Sequence, residues 1–369
     1  MSKTKPSNLC RRDVLKGTMV ASVSAMAGSL SARPAQASKP AGRDSTLIER
    51  ENQKPGALDW QLTRVRLDKS TGCRSPRIEG YCSRQSVLAG ETIDVMVSAD
   101  PPAKFTIEIF RTGYYGGHGA RAMTTLGPLQ GKAQPTPPIG EKRLRECRWT
   151  PSATLKVPAD WPSGVYLGRL TTLPEAADQP YWQSYVIFIV RDTRRADILF
   201  QCSDNTWQAY NKWPDEYSLY TDPRGAHARD VSVSFDRPYG RQAQYTGIVN
   251  DPLSVGSGEF LSFEQPLAYF LEQHGYDVTY CCNSDCLGAS QITRCKTFIS
   301  VGHDEYWDLP QYHAVKAAIE AGVNVLWLSG NSVFAVSAFS PSADGRPNRI
   351  ITRTGHFAGT TDDEMAKSE

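Results

Sequence analysis

The sequence lacks a strong charge of either sign and any apolar run long enough to cross a bilayer. Its 369 residues carry 41 Lys and Arg against 39 Asp and Glu, a net charge of +2. This balance gives no support for binding to nucleic acid or to a charged membrane surface. No repeat is visible, and no low-complexity tract lies beyond the first 57 residues. With 40% apolar and 22% charged residues, the chain has a soluble, globular composition, and its length predicts two domains.

The first 37 residues are typical of a twin-arginine export signal. Arg11 and Arg12 precede a weakly apolar stretch, residues 18–29, and an Ala-Gln-Ala cleavage site follows at 35–37. The apolar stretch is too short and too weak for a transmembrane anchor, so an ordinary Sec signal is the main alternative. The predicted location is the bacterial periplasm. Because the twin-arginine pathway exports folded proteins, often with a cofactor in place, a bound metal is a further expectation.

The cysteines do not have the spacing of a zinc site. Of the nine, Cys10 falls in the signal, and eight remain. The group formed by Cys281, Cys282, Cys286 and Cys295 contains no pair of C-x2-C knuckles and has no histidine beside it. Structural disulfides or buried thiols are therefore favoured over zinc.

The first half of the chain has the short alternating pattern of β-strands. Residues 38–57 are polar and predict a linker. Residues 58–194 predict an immunoglobulin-like β-sandwich, because runs such as Ile93, Val95 and Val97 alternate with polar residues and turns separate the runs.

Helical and strand patterns alternate from residue 195 to residue 369. Residues 196–202 form a continuous apolar run, which is typical of a strand buried on both faces. A helix is predicted to begin after Ser262 as N-cap and to end at Gly275. This alternation predicts an α/β domain with a parallel sheet that resembles the scaffold of class I glutamine amidotransferases.

Polar residues follow three of the predicted strands. They occur at 203–206, at 302–306 and at 329–332. Ligands bind beyond the carboxyl ends of parallel strands, so these residues are expected at one functional edge. Glu305 is the most informative, because an acid just past a buried strand is costly unless it is paired or bound to metal. Asp304 alone is better interpreted as a cap of the turn.

Several motifs resemble the large subunit of N,N-dimethylformamidase and its relatives. The sequences CSDNTWQAYNKW, SFDRPYG, FISVGHDEYW and LWLSGNS occur in that order, after EIFRTGYYGGHGAR and DWPSGVYLGRL in the β-rich half. The resemblance covers roughly residues 75–335. It implies an amidohydrolase with one iron ion, Fe³⁺, held by two tyrosines and a glutamate, and it implies a small amide as substrate.

The same resemblance assigns roles to single residues. Glu305 matches the glutamate ligand, His303 an active-site histidine, and Asn331 a polar residue of the pocket. Tyr210 and Tyr239 are the favoured tyrosine ligands. Three further tyrosines compete with them: Tyr217, Tyr220 and Tyr245. Ferric iron is a hard acid and suits carboxylate and phenolate oxygens.

The chain departs from the family pattern in its export signal and in its short, mostly polar tail after Leu328. We therefore expect a truncated chain, or a partner that completes the sheet edge, either the small subunit of the family or a second copy. The competing hypothesis is a non-catalytic periplasmic protein that binds a glycan or a protein partner. A thiol hydrolase without metal is disfavoured, because the turn at 302–304 contains no cysteine.

Overall fold

The computed structural model describes residues 46–176, 178–241 and 252–357. These residues belong to one compact unit and form a mixed α/β structure with several sheets and few helices. The predicted signal at 1–37 lies outside the described residues. Part of the predicted linker forms a short helix, α1 (Leu47–Glu51), which Thr46 and Glu49 begin with a reciprocal capping box.

The first eight strands form two sheets that face each other. One sheet has three antiparallel strands in the order β1-β3-β6, and the other has five in the order β2-β8-β7-β4-β5. Alternating apolar residues of both sheets, such as Val95, Ile107 and Phe188, bury one common core. The strands are β1 (Glu79–Cys82), β2 (Ser86–Leu88), β3 (Thr92–Ser98), β4 (Lys104–Thr112), β5 (Ala120–Gln130), β6 (Ala153–Lys156), β7 (Gly164–Leu173) and β8 (Gln183–Arg191).

A parallel sheet follows, in the order β11-β9-β12-β14. Its strands are β9 (Ile198–Gln201), β11 (Val278–Cys281), β12 (Thr297–Gly302) and β14 (Asn324–Ser329). Helix α4 (Gln265–Gln273) packs on one face and helix α6 (Leu309–Glu320) on the other, which explains why β9, β11 and β12 are almost uniformly apolar or buried. The predicted parallel arrangement of these strands is thus confirmed.

The remaining strands form a fourth sheet, in the order β10-β16-β15-β13. Strands β10 (Val231–Ser234), β16 (Ile350–His356) and β15 (Ala335–Ser340) are antiparallel, and β13 (Tyr306–Trp307) runs parallel to β15. The tail after residue 328 therefore folds back into a separate sheet instead of extending the parallel one. The other helices are α2 (Asp204–Tyr210), α3 (Phe260–Phe263) and α5 (Ala289–Ile292).

The predicted helix start at Ser262 is wrong. Ser262 lies inside α3, and the chain bends at Glu264 before α4 begins with Pro266 in its first turn. Proline favours the first turn because no partner for its missing N–H is needed there, so it fixes the start of α4 two residues later than predicted.

Among the described residues, no helix combines the length and the apolar character that a membrane crossing requires.

Candidate functional site

The candidate site lies where the carboxyl ends of β9 and β12 meet. These two strands are neighbours in the sheet, although β9 leads into α2 and β12 into the turn before β13. The chain crosses the sheet in opposite directions from these two strands. From β9 it passes to β11 on one side, and from β12 it passes to β14 on the other side. A reversal of this kind leaves a crevice at the carboxyl ends of the strands.

A buried carboxylate with two tyrosines forms the centre of the site. The hydroxyl of Tyr210, at the end of α2, donates to Oε2 of Glu305 at 2.9 Å. The hydroxyl of Tyr220 donates to Oε1 at 2.6 Å. The two tyrosine rings stack with their centroids 4.4 Å apart, and Glu305 is only 3% exposed. We call these three residues the oxygen cluster.

His303 completes the cluster on one side. Its Nε2 lies 3.5 Å from Oε2 of Glu305, and its ring lies 5.5 Å from that of Tyr210. Burial lowers the pKa of His303 to about 4, so the imidazole is neutral at pH 7. A neutral imidazole can accept a proton at one nitrogen and donate one at the other.

The turn that carries Glu305 depends on a glycine and on an aspartate. Gly302 has a φ of +79°, and a Cβ there would lie 2.9 Å from the side chain of Glu264. The carboxylate of Asp304 accepts hydrogen bonds from the side chains of Gln201, Asn283 and Ser300. The side chain of Asp304 therefore fastens the turn to the end of β9, to the segment after β11 and to β12 itself.

The backbone of Glu305 is fixed on both sides. Its N–H donates to Oγ1 of Thr206 in α2 at 3.0 Å, and its carbonyl accepts from the N–H groups of Phe334 and Ala335. The backbone that carries the carboxylate is thus held by α2 and by the start of β15. Such over-determined placement is typical of a preorganised site.

Burial controls the protonation of the oxygen cluster. It raises the pKa of Glu305, while the two tyrosine hydroxyls act in the opposite direction by donating to the carboxylate. Burial also raises the pKa of Tyr210 and of Tyr220, and the nearby Glu305 adds to both shifts. Both tyrosines are therefore protonated donors in the metal-free protein.

The structure brings together three of the predicted site residues and separates two. Glu305, His303 and Tyr210 meet in the cluster. The ring of Tyr239 instead packs edge-on against Trp207, with the ring centroids 6.2 Å apart. Tyr220, one of the competing tyrosines, occupies the second tyrosine position at Glu305 in its place.

Asn331 also lies away from the oxygen cluster. It follows β14 with a φ of +46° and is exposed. Its side chain lines an apolar groove of about 690 Å³ with residues such as Trp327 and Phe334. Of the other competitors, Tyr217 packs against Arg143 and Arg145, and Tyr245 lies outside the described residues.

Sequence reasoning did not single out Thr206 or Arg353. Thr206 was visible as a hydroxyl one turn past β9, which is where a side chain can reach the neighbouring strand end. Arg353 is a buried cation in β16, whose sequence holds only two large apolar residues, Ile350 and Ile351, so the local pattern carried no signal that could have identified it.

Comparison with known proteins gives one extensive match. The family model for N,N-dimethylformamidase beta subunit-like proteins, C-terminal part, matches residues 106–368. No curated protein matches the chain. Among solved structures, one match is a family 123 glycoside hydrolase from Clostridium perfringens that was studied for glycolipid glycan hydrolysis. It is 12% identical over 36% of this chain and 28% of that chain, with a TM-score of 0.15. A likeness this weak carries no argument about fold or activity.

Proposed function

Because this chain belongs to the N,N-dimethylformamidase beta subunit-like family, we propose that it is a hydrolase of small linear amides that uses one ferric ion. The ligands of the proposed site are Tyr210, Tyr220 and Glu305. One observation carries the proposal: two tyrosine hydroxyls meet the two oxygens of a single buried carboxylate.

The donor set of the oxygen cluster fits ferric iron. All three groups bind through oxygen, and phenolate and carboxylate oxygens are hard ligands that suit a hard trivalent ion. Among the described residues, no group of three or more His, Cys, Asp and Glu side chains could hold a metal.

The side chains around the oxygen cluster suit amide hydrolysis. A bound ferric ion would polarise the amide carbonyl and make water a better nucleophile. His303, neutral and in contact with Glu305, can take a proton from the attacking water at Nε2. It can then return that proton to the nitrogen of the leaving amine as the C–N bond breaks. Thr206 holds the backbone of Glu305 through this sequence.

We also propose the types of the two sheet domains, the location of the protein and its partner. We infer an immunoglobulin-like type for the facing sheets and a class I glutamine-amidotransferase type for the parallel sheet. The strand order β11-β9-β12-β14 supports the second inference. Export to the periplasm by the twin-arginine pathway is supported by Arg11 and Arg12. A small subunit or a second copy is the proposed partner.

The first experiment combines metal content with substrate hydrolysis. Full-length protein and the Glu305→Gln variant are expressed with iron, purified and analysed for metal. Both are then assayed for amine release from formamide, N-methylformamide, N,N-dimethylformamide and acetamide. The matched control is Glu216→Gln, because Glu216 is exposed and lies four residues before Tyr220.

We expect iron and amine release in the wild type and in the control, and neither in Glu305→Gln. Well-folded wild-type protein without metal would refute the iron site and favour the non-catalytic binding protein. Iron without release from any amide would leave the metal centre in place but refute the substrate class.

A further inference from the structure

Arg353 is a buried cation directly behind the oxygen cluster. It lies in β16, opposite Val231 of β10, and is 1% exposed. Its guanidinium lies over the ring of Tyr220, with Cζ 5.6 Å from the ring centroid. Its Nη1 also donates to the hydroxyl of Tyr306 at 3.3 Å. One arginine therefore contacts the aromatic residues on the far side of Glu305.

The guanidinium also holds both ends of the segment that carries Tyr220. Its Nη2 donates to the carbonyl of Leu219 at 2.8 Å and to that of Ala228 at 2.7 Å, and its Nε donates to Ala228 at 3.1 Å. Leu219 directly precedes Tyr220, and Ala228 lies eight residues later. We call residues 219–228 the Tyr220 segment. A planar fork with several fixed donors is suited to holding two carbonyls at once, and a lysine ammonium is not.

Within the described part of the chain, every hydrogen bond of Arg353 goes to a carbonyl or a hydroxyl, and none goes to a carboxylate. Burying a cation without a paired anion is costly. The carbonyls of Leu219 and Ala228 and the ring face of Tyr220 therefore surround the guanidinium in place of a carboxylate partner.

We propose that Arg353 is a positioning residue that fixes Tyr220 for metal binding, by clamping the Tyr220 segment at both ends and by lying over the ring of Tyr220. The metal-binding part of this inference rests on the proposed function, whereas the clamp does not. Residues that orient metal ligands from behind commonly change metal affinity about 10–100-fold when they are replaced.

The test uses full-length Arg353→Gln and Arg353→Lys with two separate readouts. Hydrogen exchange, followed by mass spectrometry of peptides that cover residues 219–228, reports the clamp without any metal. Titration of the iron-free protein with ferric nitrilotriacetate reports iron affinity. The matched control is Arg224→Gln, because Arg224 lies in the same segment but is exposed and pairs with Asp222.

We expect Arg353→Gln to exchange the amides of the Tyr220 segment about tenfold faster or more, since two carbonyls lose their donors. Its iron affinity should fall about 10–100-fold. Arg353→Lys should fall between Arg353→Gln and the wild type in both readouts, and Arg224→Gln should match the wild type. If Arg353→Gln does not fold, the hydrogen exchange and the iron affinity of Arg353→Lys test the proposal instead.

Wild-type exchange in the Tyr220 segment of Arg353→Gln would overturn the clamp. Faster exchange with unchanged iron affinity would overturn the positioning role. If the wild type itself binds no iron while Arg353→Gln still loosens the segment, the proposed function fails but the clamp on Tyr220 is upheld.

Discussion

The hydroxyl of Tyr220 lies 2.6 Å from Oε1 of Glu305, although the two residues are 85 positions apart in the chain. Tyr210 approaches the other oxygen of the same carboxylate at 2.9 Å. This relationship defines the candidate site, because two phenols and one carboxylate converge where two neighbouring parallel strands end. The structural supports of this arrangement lead to the following predictions.

Asp304 is expected to hold the turn that carries Glu305. Replacing it by Ala removes the acceptor of three buried donors, on Gln201, Asn283 and Ser300. We expect the free energy of unfolding to fall by about 3 kcal/mol, since buried donors without partners are costly. Denaturant unfolding measures this loss. Asp230→Asn, at an exposed ion pair, should change stability by less than about 0.5 kcal/mol. Equal stability of Asp304→Ala and the wild type would contradict this account of the turn.

Stability is expected to fall between pH 4.5 and pH 7 because of Glu264. Burial raises the pKa of this carboxyl from 4.5 to about 7, although Ser203 and Trp207 donate to it. The folded state therefore binds more protons than the unfolded state in this window. The contribution to stability is fully present below pH 4.5 and is lost as the pH rises through about 7. The total loss is about 3 kcal/mol.

Unfolding of Glu264→Gln at several pH values tests this expectation. The variant should lose the part of the pH dependence that belongs to this window, whereas Glu320→Gln, at an exposed position of α6, should keep it. An unchanged pH profile in Glu264→Gln would mean that another group is responsible.

The ion pair between Arg111 and Glu272 is expected to join the five-stranded sheet to α4. Both side chains are fully buried, with Nη2 2.8 Å from Oε1, and the hydroxyl of Tyr280 also donates to Glu272. Glu272→Gln would leave the arginine buried without its counter-charge, so we expect a loss of about 3–5 kcal/mol. The exposed pair of Arg84 and Glu91 is the control, and Glu91→Gln should cost less than about 1 kcal/mol. Similar costs for the two variants would show that burial of the pair is unimportant.

The cysteines are expected to be reduced and inaccessible. All eight from Cys73 to Cys295 are free thiols and buried, and even Cys281 and Cys286, with sulfurs 3.5 Å apart, are unbonded. Burial raises the pKa of Cys73 and of Cys82 to about 12, which disfavours the reactive thiolate. In the native protein, a thiol reagent should modify on average fewer than about one of these eight cysteines per molecule. After denaturation, it should modify all eight. A persistent shortfall after denaturation would reveal disulfides.

The sequence predicted the parts of the site that local pattern and sheet topology determine. Glu305 comes three residues after the buried strand β12, so its place at the functional edge follows from the sheet. Tyr210 comes nine residues after β9 and was assigned by the resemblance to the family. Tyr220 and Tyr239 both lie in a long connection without a regular period, where only tertiary contacts decide which ring reaches Glu305. The local pattern of the connection could not rank them.

Arg353 was beyond prediction for a related reason. Its strand β16 pairs with β10, more than a hundred residues earlier, and this pairing carries the guanidinium to the carbonyls of Leu219 and Ala228. The sequence after Leu328 is mostly polar, and the short apolar pair Ile350 and Ile351 is too weak a pattern to predict a strand there. The predicted helix start at Ser262 was wrong for a local reason, because Pro266 fixes the start of α4.

The most direct test of the central claim is the visible spectrum of the iron-loaded protein. Tyrosinate bound to ferric iron gives a charge-transfer band, so the spectrum identifies the ligands by comparison of wild type, Tyr220→Phe and Tyr239→Phe. The account predicts a band in the wild type, a weakened or lost band in Tyr220→Phe, and an unchanged band in Tyr239→Phe, whose ring packs against Trp207. A band that survives Tyr220→Phe but disappears in Tyr239→Phe would contradict the assignment. Loaded iron without any such band would contradict the tyrosine site itself.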